Sequence, residues 1–68
     1  MQKNNDVLAA ERLEAEAKEY EQRAAKTEQV LDGYSEDSRP DAMSYIEELR
    51  TAARCALVLA KVHRARNK

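Results

Sequence analysis

Residues 10–31 read AERLEAEAKEYEQRAAKTEQVL, and the spacing of the small and apolar side chains in this stretch decides the fold. These side chains recur at alternating steps of three and four residues, which keeps them on one face of an α-helix. The row consists of Ala10, Leu13, Ala17, Tyr20, Ala24, Thr27 and Leu31. A heptad seam of this kind predicts a helix that packs along its whole length against another helix.

The first helix is predicted over about residues 6–32. Asparagine and aspartate at residues 4–6 are good N-cap side chains, and apolar residues follow them directly. Gly33 is the only glycine of the chain and comes just after the last seam residue. We therefore expect Gly33 to end the helix in a left-handed conformation and residues 33–39 to form a loop.

The second helix is predicted over about residues 40–65, so the chain is expected to be all-α, an antiparallel two-helix hairpin. Pro40 suits the first turn of a helix. Ser38 has capping-box spacing to Asp41, but Arg39 is a second candidate for the cap because a residue before proline avoids the helical region. The seam of this helix consists of Ala42, Ile46, Leu49, Ala53, Ala56, Ala60 and His63.

The size of the chain makes a lone hairpin marginal. Its 68 residues allow a single domain, residues 1–68, which buries only a modest part of its surface. One cysteine excludes an intrachain disulfide, and one cysteine with one histidine falls short of a structural zinc set, so no metal or cofactor is expected. Association with another chain is the remaining way to stabilise so small a fold.

Charge is divided unequally between the two halves. Residues 1–37 carry ten acidic and five basic side chains, a net charge of −5, and residues 38–68 carry seven basic and three acidic ones, a net charge of +4. Two helices that lie side by side would bring these opposite charges together. Complementary halves and a chance distribution in a short chain both remain open.

The second helix is apolar on nearly every side over residues 52–62, where only Arg54 and Lys61 interrupt. One opposing helix cannot cover such a segment, and a contiguous exposed apolar patch usually marks an interaction surface. We expect a protein partner, either a second copy that completes a four-helix bundle or a larger protein with a groove. The predicted partner-binding residues are Tyr45, Leu49, Ala53, Ala56, Leu57, Val58, Leu59 and Val62.

Candidate catalytic groups are few, so we expect a non-enzymatic module. The glutamates of the first helix have the pattern of a solvated surface, and two helices leave little room for a pocket that would shift a pKa. Cys55 is expected to be a buried small hydrophobe, with an intersubunit disulfide or a redox role as the alternative. His63 is expected to be a surface histidine that is hydrogen-bonded or favoured by the helix dipole.

A small nucleic-acid-associated regulator is the alternative function. The basic end of the second helix carries four cationic side chains that could contact phosphates: Lys61, Arg64, Arg66 and Lys68. The net charge of −1 and the lack of a helix-turn-helix pattern argue against it. The N-terminus has no apolar core typical of a secretory signal, and the longest apolar run, residues 55–60, is far too short to span a bilayer, so a cytoplasmic location is expected.

In size and plan the chain resembles the short helical-hairpin co-chaperones of type III secretion needle subunits. Those also carry a turn, a tyrosine early in the second helix, and an alanine-rich apolar run that ends near a histidine. The matching stretch here runs from Tyr45 to His63, within the second helix alone. The chain is also similar in style to small phage-encoded proteins that bind and inhibit host factors. Both resemblances imply a chaperone-like adaptor or an inhibitor.

Overall fold

The computed structural model describes residues 4–67, and these residues form two long helices. Helix α1 spans Asn5–Gln29, a short 3₁₀ turn spans Leu31–Gly33, and helix α2 spans Arg39–Arg66. The described residues contain no strand. The helices pack as an elongated pair, with Cα extents of 52 × 17 × 11 Å. The predicted hairpin is confirmed, with helix ends one to three residues from the predicted ones.

Helix α1 begins where its cap was predicted. The side-chain oxygen of Asn4 accepts a hydrogen bond of 2.9 Å from the backbone N–H of Val7, which satisfies one of the free donors of the first turn. The side-chain amide of Asn4 also bonds to Asn67, the residue that caps the end of α2. This bond joins the start of α1 to the end of α2.

The predicted role of Gly33 is wrong. Helix α1 ends at Gln29, and its last turn tightens into the 3₁₀ turn through bonds such as Gly33 N–H to the Val30 carbonyl, 2.9 Å. Gly33 lies within this turn, and no described residue has a positive φ. A tightened right-handed turn therefore satisfies the carbonyls that a left-handed glycine would otherwise satisfy.

Ser38 is the N-cap of α2, but its side chain makes no capping bond. The Ser38 hydroxyl pairs instead with the hydroxyl of Ser35 at 3.1 Å, so the capping box with Asp41 does not form. Pro40 lies in the first turn of α2, as predicted.

Alanine dominates the contact between the two helices. On α1 the buried residues are Ala10, Ala17 and Ala24, seven residues apart and at most 2% exposed. On α2 they are Ala42, Ile46, Leu49, Ala53, Ala56 and Ala60. Each belongs to a predicted seam, and side chains this small let the two backbones approach closely. None of the larger described side chains is fully buried, so the hairpin has a thin core.

Candidate protein-binding surface

Ion pairs between the helices fix their register. The guanidinium of Arg64 donates two hydrogen bonds to the carboxylate of Glu14, at 2.9 and 2.7 Å. Arg50 forms an ion pair with Glu28. The two acids and the two arginines are each fourteen residues apart, which places both pairs on the same edge of an antiparallel pair of helices. A third pair, the His63 ring nitrogen Nδ1 with the Asp6 carboxylate at 2.9 Å, lies nearer the chain ends.

All three pairs draw the acid from α1 and the base from α2, consistent with the complementary halves of the sequence. The hydrogen bonds from Arg64 hold the pKa of the Glu14 carboxyl below its ordinary value of 4.5. The same bonds raise the pKa of the Arg64 guanidinium. The short connection between the helices requires the antiparallel arrangement, and the paired charges are compatible with its register.

The middle of this edge departs from the pattern. Halfway between the two ion pairs, the register places Glu21 of α1 opposite Leu57 of α2, each seven residues from a paired neighbour. Leu57 is 37% exposed. We call this side the paired edge, defined by Glu14, Glu21 and Glu28 on α1 and by Arg50, Leu57 and Arg64 on α2.

The other side of α2 carries a second apolar row with heptad steps of three, four and three. We call it the α2 stripe, defined by Ala52, Cys55, Leu59 and Val62. Leu59 is 51% exposed and Val62 is 47% exposed, so the hairpin itself leaves the larger members of the row uncovered. Tyr45 and Val58 lie beside the row and are exposed as well. Half-exposed leucine and valine in a contiguous row make this the strongest candidate for a binding surface.

The structure separates the predicted partner-binding residues into two groups. Leu49, Ala53 and Ala56 are at most 6% exposed because they pack against Ala17 and Ala24 of α1. They belong to the contact within the hairpin. The other five remain exposed: Tyr45, Leu57, Val58, Leu59 and Val62. Four of these five lie on or beside the α2 stripe, and Leu57 lies on the paired edge.

Cys55 is exposed, contrary to the expectation that it is a buried hydrophobe. The expectation failed because Cys55 lies on the side of α2 that α1 does not cover. His63 is hydrogen-bonded to Asp6 near the end of α2, as expected. The described residues contain no cluster of side chains suited to hold a metal ion.

The basic end of α2 is partly engaged within the hairpin. Lys61, Arg64 and Arg66 are all exposed, and Arg64 is held by Glu14. Lys68 lies outside the described residues. One of the four predicted phosphate-contacting cations therefore has a carboxylate partner already, which weakens the nucleic-acid alternative.

Sequence reasoning missed the cross-helix ion pairs. Glu14 and Lys18 are four residues apart on α1, a spacing that allows an ion pair within the helix and gives no indication of a partner on α2. The signal was present in the heptad: three glutamates follow the first seam at residues 14, 21 and 28, and two arginines follow the second seam at residues 50 and 64. Residues at these positions of antiparallel helices face each other.

No helix in the described part of the chain is both long enough and apolar enough to cross a membrane. Comparison with models of protein families, with curated proteins and with solved structures finds no match for this chain.

Proposed function

We propose that this protein is a non-enzymatic interaction module, a helical hairpin that binds another protein chain through the exposed side of α2. The observation that carries the proposal is the half-exposed α2 stripe on a hairpin whose own core consists mostly of alanine. An adaptor, a co-chaperone or an inhibitor of a larger protein would all act in this way, and so would a chain that completes a four-helix bundle with its own copy.

The surface area of the chain supports the need for a partner. The hairpin exposes 5497 Å². A compact monomer of 7.8 kDa exposes roughly 4,400 Å² by the usual scaling of surface with mass. The excess, about 1,100 Å², compares with the roughly 800 Å² that one partner buries in a standard interface. Two helices without a third layer leave this surface available for association.

The energetics point the same way. Complete burial of a leucine or valine side chain contributes about 1.5–3 kcal/mol, so covering the exposed halves of Leu59 and Val62 contributes about 1 kcal/mol each. These contributions matter for a domain whose total stability is only about 5 kcal/mol or less. Binding would therefore stabilise the hairpin as well as occupy its surface.

A matched pair of variants tests the proposal. Leu59→Arg puts a charge on the α2 stripe, and Leu57→Arg makes the same change two residues away, on the paired edge. Sedimentation velocity and binding of an apolar fluorescent dye are measured for both variants and for the wild type. We expect the wild-type chain to associate or to bind the dye, Leu59→Arg to lose at least about tenfold in that interaction, and Leu57→Arg to retain it.

A stable helical monomer of the wild type that binds no dye would contradict the proposal. Equal losses from the two arginine variants would also contradict it, because they would separate association from the α2 stripe.

A further inference from the structure

We propose that the partner of the α2 stripe is a second copy of this chain, with the two α2 helices antiparallel. The inference rests on the proposed function and deepens it by naming the occupant of the surface. The charges at the two ends of the stripe point to this occupant.

The α2 stripe is bounded by opposite charges. One further heptad step before Ala52 is Glu48, and one further step after Val62 is Arg66. Both side chains are exposed, and neither makes an ion pair with another residue in the range 4–67. The row therefore runs from an acid, through four small or apolar residues, to a base.

A row of this kind is complementary to itself when it is reversed. When two identical helices pack antiparallel, the first apolar position of each heptad faces the second apolar position on the other copy. In one register Ala52 faces Val62 of the second copy and Cys55 faces Leu59, so every central layer is apolar. The same register sets Glu48 against Arg66 at both ends of the contact, because a two-fold axis repeats each pair.

Other arrangements of two copies fit less well. In a parallel pair Glu48 faces Glu48 and Arg66 faces Arg66, so like charges meet at both ends. Shifting the antiparallel register by seven residues sets Glu48 against Leu59 in one direction and Arg66 against Cys55 in the other, so either shift places a charged side chain beside an apolar or weakly polar one. Among the arrangements compared, the charges at the two ends of the stripe thus favour one geometry.

In this antiparallel arrangement the paired edge takes no part in the contact between the two copies. Leu57 lies on the far side of α2 from the stripe, beside Arg50 and Arg64, which are already engaged by α1. A partner seated on the stripe therefore leaves the ion pairs of each hairpin intact.

Charge reversal at the two ends tests this register. The variants are Glu48→Arg, Arg66→Glu and the double exchange, each measured by sedimentation equilibrium at concentrations up to about 1 mM, with circular dichroism to verify helix content. Each single reversal sets like charges together twice in the dimer, so we expect self-association to weaken by about tenfold. The double exchange restores opposite charges at both ends and should return association to the wild-type range.

The rescue is specific because residues 48 and 66 lie about 27 Å apart along one helix and cannot compensate each other within a chain. An equimolar mixture of the two single variants provides a further check, since one carries arginine and the other glutamate at both ends. We expect this mixture to associate about tenfold more strongly than either variant alone.

The possible failures are distinguishable. A wild-type dimer that is unaffected by the single reversals would overturn the antiparallel register but leave the interaction module standing. A wild-type monomer that still binds the apolar dye through Leu59 would overturn the second copy as the occupant and point to a different protein. A wild-type monomer that binds no dye would overturn both proposals.

Discussion

The paired edge and the α2 stripe both lie toward the C-terminal end of α2, over residues 50–64 and 52–62, yet the charged residues of the paired edge have partners on α1. Along the paired edge, Arg50 and Arg64 reach carboxylates of α1. Along the α2 stripe, Leu59 and Val62 are about half exposed, and α1 offers them no apolar row. Helix α2 therefore has two distinct faces: one forms ion pairs with α1, and the other is the exposed face to which we propose that a second chain binds.

The difference between the paired edge and the α2 stripe depends on how closely α1 and α2 approach each other. Ala53→Leu tests this distance, and we expect it to change stability more than any other proposed variant. Ala53 is 1% exposed and packs against Ala17, so a leucine there must push the helices apart. We expect the free energy of unfolding to fall by about 1–3 kcal/mol, measured by urea denaturation followed by circular dichroism. The ion pairs of the paired edge should break first, because each of them joins α1 to α2 and a wider spacing moves the two charges apart.

Ala15→Leu is the matched control for this change, since Ala15 is exposed on α1. It should alter stability by no more than about 0.5 kcal/mol. A similar loss of stability in both variants would show that close packing at the alanine seam is not what holds the hairpin together.

The middle of the paired edge offers the next prediction. Glu21 lines a groove with Arg50 and Arg54, and Leu57→Arg should place a further guanidinium beside it and add a third ion pair to this edge. Because the pair is exposed, we expect a gain of only about 0.2–1 kcal/mol in unfolding free energy at low salt. The measurement is urea denaturation at two ionic strengths, compared with the wild type.

The gain should vanish when Glu21→Gln accompanies Leu57→Arg, since glutamine removes the charge that the arginine would meet. If the gain survives in the double variant, the register assigned to Glu21 and Leu57 is incorrect.

The sequence predicted the hairpin well because heptad spacing depends only on local helix geometry. Within residues 4–67, all nine buried residues belong to the two predicted seams, from Ala10 on α1 to Ala60 on α2. The end of α1 was predicted less well, since Gly33 permits a left-handed turn without requiring one. Whether it adopts that turn depends on how the following loop joins α2, and spacing along one helix does not contain this information.

For a related reason, the sequence alone does not show which of the predicted partner-binding residues stay exposed. Apolar character on all sides of residues 52–62 identified α2, but hydrophobicity alone does not distinguish Leu57 from Leu59. The distinction comes from the register between the helices, which places Leu57 beside the ion pairs and leaves Leu59 uncovered. The packing of α2 against α1 therefore decides which apolar residues of α2 stay exposed.

The smallest effect expected on the paired edge concerns the pH dependence of the pair between Glu14 and Arg64. A carboxyl whose pKa is lowered by folding stabilises the folded state above its unfolded pKa, and this stabilisation is lost as pH falls through the folded value. We therefore expect the wild type to be more stable than Glu14→Gln at neutral pH. The difference should shrink as pH falls below 4.5, as measured by urea denaturation from about pH 7 to about pH 3.

The Arg64→Gln background supplies the control, because hydrogen bonds from Arg64 are the main cause of the lowered pKa. In that background Glu14→Gln should produce a stability difference that no longer varies with pH over this window. A variation that persists without Arg64 would assign the effect to another neighbour of Glu14. Its disappearance would show that the paired edge acts through a specific contact between the helices, whereas Leu59 and Val62 of the α2 stripe remain about half exposed.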